Sequence, residues 1–383
     1  MLNEMEKTVL QMIMAGSDIS RVDISRALGI SKPVVSKAVN RLIELGFVKE
    51  TGRKESSSKG GRKPVLLSFV PESRYVIGVD IGGTKIDAVL TDLVGNVLNK
   101  EHILLPSNLD KRKLLELIKK VIHPFLVYER ILGIGIGIPG TVDEDHLVKR
   151  IPAFDVTDWD LKEELEKTFG YPVFVENNAN LDAFAEAKIG AGRGFRCVLL
   201  ISVGWGIGSG IVYDGKIFRG ARGKAGEFGH IVTDWSKEKE IVPEKGFGHL
   251  EEWFSGFSMS KRFGKSPEWV FEKYRDEIKE SLEHFGVAVA NAIVLFDPDV
   301  VIIKGGIGLH QFEKISAVVR SVVSKIVPED ILRDVEIRKG EIEEYGVAIG
   351  GALFVIENIL GLKGGGKYEG CQASREVGSK AGV

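Results

Sequence analysis

Cysteine is nearly missing from this chain: only Cys197 and Cys371 occur in 383 residues, in no metal-binding or redox spacing. That excludes a disulfide framework and fits a reducing compartment. Long apolar runs are missing as well. No stretch approaches the ~20 residues of a membrane-spanning helix, and Gln11, Ser17 and Asp18 interrupt the region where a signal peptide would carry its apolar core. A cytoplasmic location is expected. Net charge is almost absent too, at −2, but the balance hides a division. Residues 1–70 hold twelve Lys and Arg against seven Asp and Glu, a net of +5, which leaves −7 on the remainder. A basic module on an acidic body is one electrostatic footprint of nucleic-acid binding. The 44% hydrophobic content suffices for two or three domains with ordinary cores.

The basic module has helix-turn-helix grammar. Met5, Val9, Met12 and Ile13 recur at helical spacing up to Gly16. Ser20 can cap a second helix that Gly29 ends, and Ser31 opens a third with Pro33 in its first turn. Val35, Val39, Leu42 and Leu45 make the buried stripe of the third helix, leaving Ser31, Lys32, Val34, Ser36, Lys37, Asn40 and Arg41 on its outer face or edges. The recognition helix of such a motif lies in the major groove with its N-terminal residues at base edges, so Lys32, Val34, Ser36 and Lys37 are the base-contact candidates, with Ser31 and Arg41 beside them. Two short strands then flank a loop carrying Arg53, Lys54, Lys59, Arg62 and Lys63, a wing suited to phosphates or the minor groove. Residues 1–70 are therefore expected to be a winged helix-turn-helix DNA-binding domain.

After a linker at residues 71–74, Tyr75–Leu90 reads as strand, glycine turn, strand. Gly82 and Gly83 let backbone N–H groups approach a phosphate, Asp80 could hold a metal ion, and Thr84 and Lys85 could add polar contacts; an ordinary hairpin would use similar residues. Ile131–Ile138 is a buried strand ending in Pro139, Gly140 and Thr141. Val173–Val175 hands over through Glu176, Asn177 and Asn178 to a helix beginning near Leu181. Strand ends of this kind hold ligands, although the cluster could simply cap the helix. A strand over Val198–Val203 followed by Gly204, Gly206, Gly208 and Gly210 echoes the first unit, so two related lobes are expected. Helices are predicted over 109–128, 159–169, 268–295 and 345–360, a strand over 300–307, and a polar tail over 361–383. The first lobe is assigned 71–180, completed by the helix 345–360, and the second 181–344.

Six segments in order, Asp80–Lys85, Ile136–Gly140, Glu176–Asn180, Gly204–Gly210, Gly226–His230 and Lys304–Gly306, resemble the ROK family of repressors, open reading frames and sugar kinases. With the winged helix, the chain is similar to the repressor branch of that family, of the xylose-repressor type. The resemblance implies an α/β fold: two actin-like, hexokinase-type lobes closing on a sugar, with ATP and magnesium at the glycine turns in kinase members. It implies sugar contacts from Asn177, Asn178, Glu227, His230 and Glu251, and a nucleotide-phosphate site, vestigial if phosphoryl transfer is lost, at Asp80, Gly82, Gly83, Thr84, Lys85, Gly204 and Gly206.

Four departures from the family pattern bear on function. The kinases carry their general base, an Asp, where this chain has Asn178, and an amide has no usable basicity near neutral pH. Trp205 stands where kinase members usually present a Thr to a phosphate. A cysteine run that holds a structural zinc in many members is replaced by Val242–His249 without cysteine, so zinc is not expected, a site from His230, Glu244 and His249 being the remaining arrangement. Packing of Trp235, Phe247 and Trp253 is expected to hold that segment instead. Finally, an Asn that kinases carry beyond Arg150 is replaced by Ile151–Asp155. The expectation is a sugar-responsive transcriptional repressor, with operator DNA and a sugar effector as partners, a homodimer, no catalytic residue and no certain cofactor. The alternatives are an ATP-dependent hexose or N-acetylhexosamine kinase with an attached DNA module, and a DNA-binding protein whose body only oligomerises.

Overall fold

The computed structural model describes residues 2–16, 19–53, 64–106, 109–238 and 246–362, without the side chains of 53, 237 and 238. The chain divides into two compact units, Met1–Val70 and a second beginning at Pro71.

In the first unit α1 (Glu4–Ala15), α2 (Arg21–Leu28) and α3 (Lys32–Glu44) bury Val9, Ile13, Ile24, Val35, Val39 and Leu42. The helix starts have local causes. The side chains of Asn3 and Ser20 close capping boxes with Glu6 and Asp23, and Pro33 lies in the first turn of α3, whereas the Ser31 side chain makes no capping bond. Gly29 ends α2 in the left-handed region, at φ 66°. Leu45, expected on the buried stripe of α3, is its half-buried C-cap, and Ala38 joins the stripe in its place. Strands β1 (Ile19–Ser20), β2 (Val48–Arg53) and β3 (Val65–Phe69) pair antiparallel in the order β1-β3-β2, with a bulge between Glu50 and Gly52. This is a winged helix-turn-helix.

The second unit opens with β4 (Tyr75–Ile81), β5 (Lys85–Thr91), β6 (Val97–Leu104), α4 (Lys111–Ile122) and β7 (Ile131–Ile138). A small antiparallel sheet follows from β8 (Thr141–Val142), β9 (Val148–Ile151) and β10 (Val156–Trp159), then α5 (Leu161–Phe169), β11 (Val173–Asn177) and α6 (Asn178–Ile189). The first large sheet has the order β11-β7-β4-β5-β6. The second is built from β12 (Cys197–Val203), β13 (Ile207–Tyr213), β14 (Lys216–Ile217), β15 (Val300–Lys304) and β16 (Glu336–Lys339), in the order β14-β13-β12-β15-β16. Both sheets place an antiparallel hairpin beside parallel strands, so the two halves repeat one plan.

The C-terminal helix Gly346–Leu360 lies on β4 and β7, and glycine sets the spacing. A Cβ on Gly78 would stand 1.8 Å from the Ala348 carbonyl oxygen, and one on Gly135 would stand 2.1 Å from that of Gly351. A side chain at either position would force the helix off the sheet.

Several element boundaries differ from expectation. The run read as a helix over 268–295 is two helices, Pro267–Lys273 and Lys279–Phe296, because Tyr274 leaves helical geometry and stacks on Phe263 at 4.7 Å. The strand read over 300–307 stops at Lys304, where Gly305 turns left-handed (φ 81°) and starts a short helix. Trp159 ends β10 rather than opening a helix, since Asp160 caps α5. The helix read over 109–128 is α4 followed by a 3-10 turn at His123–Val127.

Candidate functional site

The β11–α6 junction sits at the carboxyl end of the first sheet. The helix begins at Asn178, three residues before Leu181, because Asn177 caps it: its Oδ1 accepts the N–H groups of Ala179 (2.9 Å) and Asn180 (3.2 Å). Its Nδ2 donates to the Gly140 carbonyl at 2.9 Å, so the cap residue also joins the wall formed by the end of β7. Capping and cleft lining thus coexist in one side chain. Glu176 beneath it is buried and satisfied, accepting from Asn177 N, Asn180 Nδ2 and, at 2.6 Å, Arg219 Nε. Asn178 points to a different partner. Its Nδ2 donates to Asp80 Oδ1 and to the Ile81 carbonyl, both at 3.0 Å, tying α6 to the end of β4.

Asn177 lines a cleft of ≈ 530 Å³ with Pro139, Gly140, Thr141, Arg150, Pro152, Lys224, Glu227, His230 and Gly246. Glu227 and His230 lie 3.9 Å apart and are both exposed. The structure therefore gathers three of the five expected sugar residues, Asn177, Glu227 and His230, at one cleft. It places Glu251 behind that wall: the side chain is only 8% exposed, and its two oxygens accept the N–H groups of Ile207 (2.6 Å) and Gly248 (2.7 Å). Burial pushes this carboxyl up in pKa, and the two N–H bonds pull it back. Gly206 gives it room, since a Cβ there would stand 2.4 Å from Glu251 Oε1. Gly206, expected at a phosphate, thus backs Glu251.

The expected phosphate turn is exposed from Gly83 to Lys85, Gly82 N donates to the Lys85 carbonyl at 2.9 Å, and Lys85 Nζ pairs with Asp87 at 2.6 Å. The Asp80 carboxyl is raised to about 7, first by burial and then by Asp182 and Asp87. Close by, Lys304 is 4% exposed and pairs with Asp182 at 2.6 Å and Glu186 at 3.0 Å. Burial also raises the Asp182 carboxyl, against the pull of Lys304. Asn178, Asp182 and Glu186 recur every four residues and so share one stripe of α6.

Gly204 lines a separate cleft of ≈ 470 Å³ with Trp205, Gly256, Gly306 and His310. Trp205 is 63% exposed and meets Phe257 edge-on at 5.9 Å, and Phe257 stacks on Phe247 at 4.0 Å. Of the aromatics expected to hold the cysteine-free segment, Phe247 and Trp253 do pack, the latter on His284 at 3.8 Å, but Trp235 is 70% exposed and has no ring contact among the described residues. Among the described residues no three His, Cys, Asp or Glu are arranged to hold a metal ion, and Glu244 lies outside them.

On α3, Ser31, Lys32, Val34, Lys37 and Arg41 are exposed and Ser36 is half-buried. Val34 is 45% exposed, an apolar contact available to a thymine methyl, while Arg41 pairs with Glu44 at 3.2 Å. Lys59, Arg62 and Lys63 lie outside the described residues, as does the Arg53 side chain. Sequence reasoning missed Arg150, Lys224 and Lys304. Only Lys304 left a signal, a lysine ending an otherwise apolar strand.

A winged helix joined to a two-lobed, sugar-kinase-like body with a polar cleft defines a class of proteins, and comparison with known proteins says which family it is. The ROK family profile matches residues 76–358 and the MarR family profile residues 2–63. The chain belongs to the ROK family. It is 29% identical over 378 residues to the xylose repressor of Bacillus subtilis, covering 93% of this chain and 96% of the repressor. It is 30% identical to that of Caldicellulosiruptor bescii, over 92% and 95% of the two chains. A Streptomyces coelicolor glucokinase is 40% identical over 156 residues, 40% of this chain and 49% of the kinase. Among solved structures, a ROK family transcriptional regulator described as a homolog of the E. coli MLC protein superposes with a TM-score of 0.76 at 24% identity, covering 93% of this chain and 96% of its own. The ROK hexokinase of Thermus thermophilus gives 0.62 at 26%, covering 73% and 97%. No helix among the described residues is long and apolar enough to cross a membrane.

Proposed function

We propose that this protein is a sugar-responsive transcriptional repressor that binds operator DNA through residues 1–70 and a sugar in the cleft at Asn177. One observation carries the choice of sensor over enzyme. The residue at the kinase base position, Asn178, is an amide whose N–H donors are already engaged by Asp80 and Ile81. It can take no proton from a sugar hydroxyl, and without that step phosphoryl transfer lacks its base. Asn177, Glu227 and His230 still offer donors and acceptors to hydroxyls. The cleft volume suits a ligand of monosaccharide size.

On the DNA side Lys32, Val34, Ser36 and Lys37 would meet base edges, and the protein would act as a cytoplasmic homodimer reading paired half-sites. A sugar changes operator affinity only as far as it binds the DNA-competent and DNA-free states differently. A labelled duplex from the DNA flanking its own gene should be retarded on a gel by the protein, and the retardation should change on adding the effector. Failure to retard any such duplex would falsify this reading. The kinase alternative draws on the retained Asp80–Lys85 turn and the partial glucokinase likeness. It requires sugar-dependent ADP release, with a higher rate in Asn178→Asp.

A further inference from the structure

Among the described residues, two cations in the cleft have no ion-pair partner. Arg150 reaches it because β8 and β9 pair Thr141 with Arg150, and Gly140 lies so close that a Cβ there would stand 2.0 Å from the Arg150 carbonyl oxygen. Lys224 reaches it because Gly223, at φ +68°, lies against β8, where a Cβ would stand 2.2 Å from the Val142 carbonyl oxygen. On the far side Ser209 Oγ donates to the Gly226 carbonyl at 2.8 Å and fixes the loop. Two neighbouring cations are neutralised: Arg219 by Glu176 at 2.6 Å, and Lys149 by Asp143 at 3.5 Å and Asp158 at 3.6 Å. Among the described residues Arg150 and Lys224 make no side-chain ion pair, hydrogen bond or ring contact, and among those residues Glu227 is the one carboxylate lining the cleft with them.

A neutral sugar needs donors and acceptors but no counter-charge. A ligand seated against Arg150 and Lys224 displaces water from both, a cost that a neutral ligand does not offset. A carboxylate or phosphate offsets it, and the guanidinium fork matches either. Asn177, Glu227 and His230 remain for the hydroxyls. We propose that the effector is an anionic sugar whose carboxylate or phosphate is held by Arg150 and Lys224; this rests on the reading of the cleft as the effector site.

Titration calorimetry on the full chain tests it, with glucose, galactose and mannose each offered as the neutral sugar, the uronate and the 6-phosphate, at low and high salt. The expected result is that an anionic form binds at least about tenfold tighter than its neutral counterpart, since a hydrogen bond to a charged group is worth roughly a factor of ten or more. High salt should weaken that form selectively, and the uronate and phosphate arms tell the two sources apart. Arg150→Gln and Lys224→Gln should each weaken the anionic form about tenfold and so narrow the ratio of anionic to neutral affinity, and Arg150→Lys should recover part of the loss. Both side chains are exposed, and the ratio of anionic to neutral affinity in the unmodified chain stands whether or not the variants fold. Neutral sugar bound as tightly as any charged form overturns the anionic assignment and leaves the repressor reading intact. No binding of any form, with operator DNA still retained, overturns both the effector site and this assignment.

Discussion

Lys304 ends a strand whose other four residues are apolar and buried, and it is itself buried against Asp182 and Glu186. Taking such charges out of water is costly, so the group holds only while all its members are present. Lys304→Met, which leaves two carboxylates without their cation, should lower unfolding stability by about 3–5 kcal/mol in urea denaturation. Adding Asp182→Asn and Glu186→Gln should recover much of that loss. A Lys304→Met chain as stable as the original would show that the ion pairs do not form in solution. Asp80 makes a second, pH-dependent prediction. Its folded carboxyl titrates at about 7, whereas an unfolded Asp titrates near ~3.9. Between those values the folded state holds a proton that the unfolded state has lost, so stability falls as pH rises from about 4 through 7. Asp80→Asn removes the falling contribution. Its melting temperature should gain on that of the original chain as pH is raised from acid to mildly alkaline, and a difference independent of pH would refute the shift.

At the scale of the element, α3 and α6 show two ways in which spacing becomes function. The apolar positions Val35, Ala38, Val39 and Leu42 of α3 are committed to the core, which leaves Lys32, Val34 and Lys37 of its N-terminal half exposed. A lysine on a phosphate acts through counterion release, so Lys37→Ala should weaken operator binding and reduce the slope of log affinity against log salt by about 1. An unchanged slope would place Lys37 away from the phosphates. In α6 the period of four aligns Asn178, Asp182 and Glu186, and that stripe could be read from the chain. Its partner could not, because Lys304 lies more than a hundred residues away and is brought there by the parallel pairing of β12 with β15. The same distinction explains the broken helix at Tyr274. Local periodicity favoured one long helix, whereas the chain breaks at Tyr274, whose ring stacks on Phe263 from a separate helix.

For the whole molecule, sensing requires that ligand and DNA affinities be linked. If an effector weakens operator binding by some factor, saturating operator must weaken effector binding by the same factor. Calorimetry of the effector with and without a saturating duplex should show equal factors, and an effector affinity indifferent to bound operator would remove the coupling. The chain by itself determined the winged helix, the two repeated halves and the glycine turns, because caps, apolar periods and glycine act over a few residues. It also showed Asn178 where the resemblance to the family's kinases leads one to expect an Asp, since one amide in a motif is a local fact. Tertiary structure decided which polar residues share a cleft. Asn177, Glu227 and His230 share a cleft, Glu251 is turned inward to two backbone N–H groups, and Arg150 and Lys224 arrive through glycine contacts between separate segments. Those placements depend on close approaches between distant parts of the chain, which no local spacing encodes.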